Sequence, residues 1–365
     1  MKITCDVKEL KTALTKISGV VGLDKSQSIL EYIKLKTSDK TLTLIATDTE
    51  IQIEKVINAN IKKDGEVLVP GKRFCEFVSK ITCEKIDIEE LDDGRVMIKY
   101  LDSSTYFPTR DIKDFPKLEN IDVKQKFEII MGDLKELIEK VDFSLSSDNN
   151  RPVLNGVFLE IEDGIIKAVA LDGYRIAIAT KPIKQKDIKT KILVHGKQIR
   201  EIKKILDAHE DVISFIISEN KICIDLLHTK IICQLMKEEY INYKSVIPEG
   251  KTTEISVQKK EFEYSIQRAD VINRESRSND VTLVIKDSMM ELNTKTLDGE
   301  LNEKLPVKVT GVDQKVVLGV KYIMDCLKVI KEDVIIISIS TSTKPVTIKN
   351  QDKTWEYVIV PILKR

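Results

Sequence analysis

The chain has 365 residues, 42% of them apolar, with 59 basic side chains against 59 acidic ones. That length exceeds one ordinary core and fits two or three domains, and the apolar share excludes a disordered chain. Zero net charge excludes an all-over basic nucleic-acid binder, but not a protein with one basic and one acidic face.

The N-terminus, MKITCDVKEL, has no apolar core of a signal peptide. Shortly after it, residues 9–17 place Leu10, Leu14 and Ile17 on one face of a predicted helix. Residues 33–46 alternate apolar and polar up to Asp39 and then alternate again, which predicts a β-hairpin. Residues 68–74 read as a strand end running into a second amphipathic helix, and residues 95–100 as a further strand.

After residues 123–126 the order begins again. Residues 133–141 repeat the first helix, and residues 157–170 repeat the hairpin about Asp163, both at an offset of 124 residues. Residues 193–199 repeat the second strand–helix passage, and residues 221–226 alternate as another strand. Past residues 249–252 comes a third round: a helix at 261–271, a hairpin at 281–294 about Asp287, and a strand–helix passage at 317–323. A period this long is a domain rather than a solenoid repeat. The expected organisation is therefore three similar α+β domains at 1–124, 125–249 and 250–365, each with two helices on one side and antiparallel sheets on the other.

The six cysteines form no C-x-x-C pair and sit in apolar contexts, so buried, reduced thiols are expected. The longest apolar run, residues 334–337, is far too short to span a membrane, and a cytoplasmic protein is expected. His195, His209 and His228 stand at no metal-ligand spacing. Asp48 and Asp172 suggest a carboxylate pair, but they are equivalent positions of separate repeats. No P-loop or nucleophile elbow appears, so neither an enzyme nor a cofactor is expected.

The predicted helices carry a recurring cationic set. The first helices offer Lys8, Lys11, Lys16, Lys135, Lys140 and Arg268. The second helices offer Lys72, Arg73, Lys80, Lys197, Arg200, Lys203, Lys204, Lys321, Lys328 and Lys331. Taken singly, each fits a solvated helix face. Repetition at equivalent places raises a second reading, in which inward helices line a channel that contacts a phosphate backbone without reading sequence. Aromatics make up only 5% of the chain, which disfavours base stacking on single strands.

Four stretches carry a family resemblance: residues 150–160 (NRPVLNGVFLE), 168–177 (AVALDGYRIA), 243–248 (YKSVIP) and 357–363 (YVIVPIL). In order on a three-repeat chain, they make it resemble the bacterial sliding clamp, the β subunit of replicative DNA polymerase III. The resemblance implies a head-to-tail homodimer, a six-domain ring around double-stranded DNA with helices inside and sheets outside. It implies a processivity factor without catalysis. The implied partners are the polymerase III catalytic subunit, the clamp loader, other polymerases and repair proteins, with no membrane.

By the same resemblance, a hydrophobic groove for short linear motifs has walls at Leu154, Leu171, Gly173, Tyr174, Arg175, Ile176, Val246, Tyr322, Pro345, Val346, Val358, Ile359, Val360, Pro361 and Ile362. Implied DNA contacts are Lys25, Asn149, Asn150, Arg151, Lys197 and Arg200. Lys72, Tyr106 and Pro108 on one side, and Val271 and Ile272 on the other, are implied at the dimer contact. The sequence departs from the commonest family pattern at Tyr174 and Ile241. The rival to this reading is a monomeric scaffold of three repeats that does not bind DNA.

Overall fold

The computed structural model describes residues 1–22, 27–117, 121–148, 150–274, 279–297 and 299–363. Among them are six α-helices: α1 (Val7–Ile17), α2 (Gly71–Ser79), α3 (Met131–Glu139), α4 (Gly196–Ile205), α5 (Lys259–Asn273) and α6 (Val320–Val329). Every strand pairing among the described residues is antiparallel. The α+β class with three rounds of hairpin and helix is what the repeat pattern predicts.

The three hairpins are built alike. Their strands end at Ser38 opposite Thr41, Glu162 opposite Ile165 and Lys286 opposite Met289, leaving two-residue turns. The first turn residue is an aspartate in the left-handed region each time: Asp39 at φ 54°, Asp163 at 54° and Asp287 at 51°. Aspartate tolerates this region better than most residues, and its twist matches that of the flanking strands.

Helix α1 shows how the sequence sets local structure. Asp6 caps it, its Oδ1 accepting from the Glu9 amide at 2.9 Å, which contributes about 1 kcal/mol. Val7, Leu10, Ala13, Leu14 and Ile17 are buried along one face, and each large aliphatic there gains roughly 1.5–3 kcal/mol by leaving water.

The chain divides into two compact units. One comprises Met1–Gly132 with Lys197–Leu235, the other Asp133–Gly196 with Met236–Arg365. The first unit holds a 12-stranded sheet. Its longest strand, Ile51–Lys63, pairs along one edge with Thr41–Thr47. Its other edge is shared between Lys2–Asp6 and Thr229–Gln234. The second unit holds a nine-stranded and a four-stranded sheet. In the nine-stranded sheet, strand Arg175–Pro182 pairs with Ile165–Leu171 and with Trp355–Ile359. Each unit thus joins strands far apart in sequence through one long ladder.

The six cysteines are free. Cys5, Cys223, Cys233 and Cys326 are buried as expected, and burial pushes the Cys5 thiol up to about 12. Cys75 and Cys83 are only partly buried, a departure from the expectation for all six. Cys75 lies on α2 beside the buried stripe rather than in it, and Cys83 lies in the following loop, its Sγ donating to the Lys85 carbonyl at 3.2 Å. No helix among the described residues is long and apolar enough to cross a membrane.

Candidate partner-binding site

The centre of the site is a turn. Asp172 Oδ1 accepts from the Tyr174 amide at 2.9 Å and the Arg175 amide at 3.1 Å, folding the chain from strand Ile165–Leu171 into Arg175–Pro182. Gly173 takes φ 94°. The nearest heavy atom to a Cβ placed there is Arg151 Nη1 at 3.9 Å. Conformation, not crowding, therefore calls for glycine.

This geometry leaves Tyr174 62% exposed and turns Arg175 inward to 8%. The Arg175 guanidinium donates to Asp172 Oδ2 at 2.9 Å, Asp325 Oδ2 at 2.9 Å and the Phe143 carbonyl at 2.8 Å. Burial opposes its charge, while Tyr357, Asp325 and Asp172 support it, and the balance lies above the ordinary arginine value. Its carbon stands 4.9 Å from the centre of the Tyr322 ring. Tyr322 in turn runs nearly parallel to Tyr174, 16° apart with centroids 6.3 Å apart.

Beside these rings opens a cavity of about 790 Å³. Of the predicted groove residues, it brings together Leu154, Gly173, Tyr174, Arg175, Tyr322 and Ile362. Leu154 also belongs to a buried cluster with Leu171, Ile176 and Val358. Val346 and Ile359 are buried opposite each other in adjacent strands. Val246, Pro345, Val360 and Pro361 do not border this cavity. Val246 is 39% exposed at the end of a short 3-10 turn, Tyr243–Val246. The C-terminal tail is tied at two points: the Val360 amide donates to the Tyr174 carbonyl at 2.9 Å, and the Ile362 amide to the Val317 carbonyl at 2.8 Å.

Sequence reasoning missed several lining residues, among them Leu145, Ser146, Asp148, Asn279, Gly319 and Lys321. Only Lys321 carried a signal, as the neighbour of Tyr322 on an amphipathic helix. Arg151, expected at DNA, borders the cavity. Neither Arg151 nor Lys321 has an ion-pair partner among the described residues, so the cavity presents two uncommitted cations in a mixed lining that also holds Leu145, Leu154 and Ile362.

The first unit has a turn of the same design. Asp48 Oδ1 accepts from the Glu50 and Ile51 amides at 3.0 and 2.8 Å, and Thr49 takes φ 76°. The Gln234 amide donates to the Glu50 carbonyl at 2.8 Å, as Val360 does to Tyr174. At the offset of 124, Glu50, Ile51 and Gln198 stand for Tyr174, Arg175 and Tyr322. Gln198 Nε2 donates to the Glu50 carbonyl at 3.2 Å, and Gln234 Nε2 to the Thr49 carbonyl at 3.0 Å. Here a polar seal replaces the aromatic rim and its arginine.

Models of the DNA polymerase III beta subunit match the chain throughout: the N-terminal domain over residues 1–119, the central domain over 128–242 and the C-terminal domain over 244–363. The chain belongs to the DNA polymerase III β subunit family. Its function is that of a sliding clamp, a processivity factor with no catalytic activity of its own. It is 27% identical to the beta sliding clamp of Halalkalibacterium halodurans, over 92% of each chain. Its fold superposes on the sliding clamp from Bacillus subtilis with a TM-score of 0.96 at 25% identity, covering 100% of both chains. The β subunit from Thermotoga maritima gives 0.92 at 27% identity, again covering 100% of both.

Against this family background, Lys197 and Arg200 are exposed on α4. Asn150 is bound to its neighbour, its amide and Nδ2 each donating to Asp148 Oδ1 at 2.9 Å. Lys25 and Asn149 lie outside the described residues. The recurring cationic set is partly neutralised. Lys16 pairs with Asp207 at 2.7 Å, Lys140 with Glu136 at 2.8 Å, and Arg268 with Glu303 at 2.5 Å. Lys11 donates to the Ile81 carbonyl at 2.6 Å. Lys11, Lys16 and Arg268 thereby tie their helices to other elements, while Lys140 pairs one turn back along α3.

Tyr106 and Pro108 lie on Ser103–Pro108, the outermost strand of its sheet. Tyr106 is 45% exposed with the Arg95 guanidinium 4.8 Å over its ring. Its neighbour Phe107 points the other way and packs on Phe74 and Phe77, as strand alternation requires. Lys72 is exposed on α2. On α5, Val271 is 60% exposed and Ile272 is half-buried.

Proposed function

We propose that the chain works as a head-to-tail homodimer, a closed six-domain ring that encircles duplex DNA. Its repeats run over 1–124, 125–249 and 250–365, with the helices lining the hole. A heterologous contact that closes on itself makes a ring, and the open edge of strand Ser103–Pro108, with Tyr106 outward, supports a contact there. Lys72, Tyr106 and Pro108 of one subunit would meet Val271 and Ile272 of the next. Lys197, Arg200, Asn150, Arg151, Lys25 and Asn149 would touch phosphates. Such contacts are screened by salt and indifferent to sequence, so they permit sliding while closure prevents escape.

The cavity rimmed by Tyr174 and Tyr322 carries the second half of the reading. Leu145, Leu154, Ile362 and the two tyrosine rings, set among fixed polar groups, suit the leucine and aromatic anchors of an extended peptide. Its occupants would be the polymerase III catalytic subunit, the clamp loader, other polymerases and repair proteins. Tethering raises their effective concentration at the primer end. The protein would act in the cytoplasm.

The deciding experiment titrates a fluorescein-labelled heptapeptide with leucine and phenylalanine anchors into the purified protein. Tyr174→Ala is expected to raise the Kd roughly tenfold, with the sedimenting mass unchanged. A Tyr174→Ala protein that binds as tightly as wild type would move the peptide site elsewhere.

A further inference from the structure

Each of the three guanidinium nitrogens of Arg175 donates a hydrogen bond. Two of its acceptors, Asp172 and the Phe143 carbonyl, come from the adjoining turn and from the short 3-10 turn Asp142–Ser144. The third, Asp325, stands on α6, three residues after Tyr322 and so on the same helix face. One carboxylate therefore links the helix that carries Tyr322 to the turn that carries Tyr174.

We propose that Asp325 is a positioning residue for the partner site: it holds Arg175 against Tyr322 and thereby sets the spacing of the Tyr174–Tyr322 rim. The inference rests on the reading of this cavity as the partner site. Asp325 does not border the cavity and acts through Arg175. The side chains of Arg175 and Asp325 are 8% and 18% exposed, so the pair is largely screened from water. Removing Asp325 leaves the largely buried guanidinium with Asp172 as its one carboxylate partner among the described residues and strips Nη1 of its acceptor. The Phe143 ring centre lies 5.6 Å from the guanidinium carbon, so two rings as well as three acceptors surround the group. Lys328, which reaches Asp325 Oδ1 at 3.2 Å, is 63% exposed and contributes little. It supplies a control.

The test is the same heptapeptide titration on the full-length protein, with sedimenting mass, melting temperature and Trp355 emission measured alongside. Asp325→Asn is expected to weaken binding roughly tenfold, the loss of one charge-assisted hydrogen bond, with mass and emission unchanged. Asp325→Glu is expected to return the affinity to within about twofold of wild type, and Lys328→Ala to leave it there. Should Asp325→Asn fail to fold, Arg175→Lys keeps the charge, loses the planar fork and is expected to show the same loss. Wild-type affinity in a folded Asp325→Asn protein, or in Arg175→Lys, overturns the inference alone. A melting temperature and affinity that fall together in both Asp325→Asn and Asp325→Glu also overturn it, since the role would then be structural. A wild-type protein that does not bind the peptide overturns the partner-site reading and this inference with it.

Discussion

Single side chains decide more here than their number suggests. Glu136 is one such group. Burial raises its pKa, but Lys140 and Lys181 outweigh burial and bring it from 4.5 down to about 2. Lys140 is itself nearly buried, and its carbonyl accepts from Trp355 Nε1 at 2.9 Å, tying α3 to the last strand of the sheet. A depressed carboxylate stabilises the fold above its unfolded pKa and loses that contribution as pH falls through the folded one. Unfolding monitored by the emission of Trp355 should therefore show stability falling between pH 4.5 and about pH 2. Glu136→Gln should flatten that slope while lowering stability near neutrality. An unchanged slope would mean that other carboxylates carry the acid sensitivity. Residue-scale pairing of this kind was not legible beforehand. Asp325 and Arg175 lie 150 positions apart, and nothing in the pattern of either helix or strand announces that they meet. The Asp172-Gly173 turn differs, because a glycine behind an aspartate at a strand end signals a backbone requirement that needs no partner.

At the scale of elements, the hairpins could be read from alternation and from the aspartate at each turn, and the helices from their apolar stripes. What could not be read is where one strand changes partners. Strand Glu300–Pro306 belongs to the four-stranded sheet, while Lys308–Gly311, just after it, pairs with Thr253–Gln258 in the nine-stranded one. Gly311 lets the far end of this second strand close on Thr252 and Thr253. It takes φ 127°, and a Cβ there would stand 2.0 Å from the Thr252 carbonyl oxygen. Gly311→Ala is expected to cost about 2 kcal/mol or more, measurable by denaturant unfolding. A change below about 0.5 kcal/mol, the usual range of neutral surface substitutions, would show that the strand relaxes there. The C-terminal tail makes a second element-scale prediction. It is held by the amides of Val360 and Ile362, so deleting residues 362–365 should weaken peptide binding and leave the sedimenting mass unchanged. A truncated protein that sediments at half the mass would assign the tail to subunit contact instead.

For the whole molecule, the sequence showed three rounds of one plan, and the family models follow the same three rounds. The proposed ring predicts a mass near twice the 41.6 kDa chain in sedimentation equilibrium. Val271→Asp with Ile272→Asp should give a folded monomer, since two buried carboxylates without partners cost far more than the apolar contact they replace. A double variant still dimeric at micromolar concentration would place the contact elsewhere. The proposed assembly rests on the resemblance, because a chain's own periodicity carries no record of how many copies close a ring.

The long ladders have a consequence for anyone who would take the protein apart. Residues 125–249 look in the sequence like a module that could be excised. In the structure, strand Thr229–Gln234 from this stretch is zipped to Ile51–Lys63, and strand Arg175–Pro182 to Trp355–Ile359. Cutting out the middle round would bare two sheet edges at once, each a template for stray strands. Such a fragment should aggregate on expression. The repeat that recurs in the sequence is thus not the piece that can live alone, and a nick at either linker would leave the two products held together by their shared sheets.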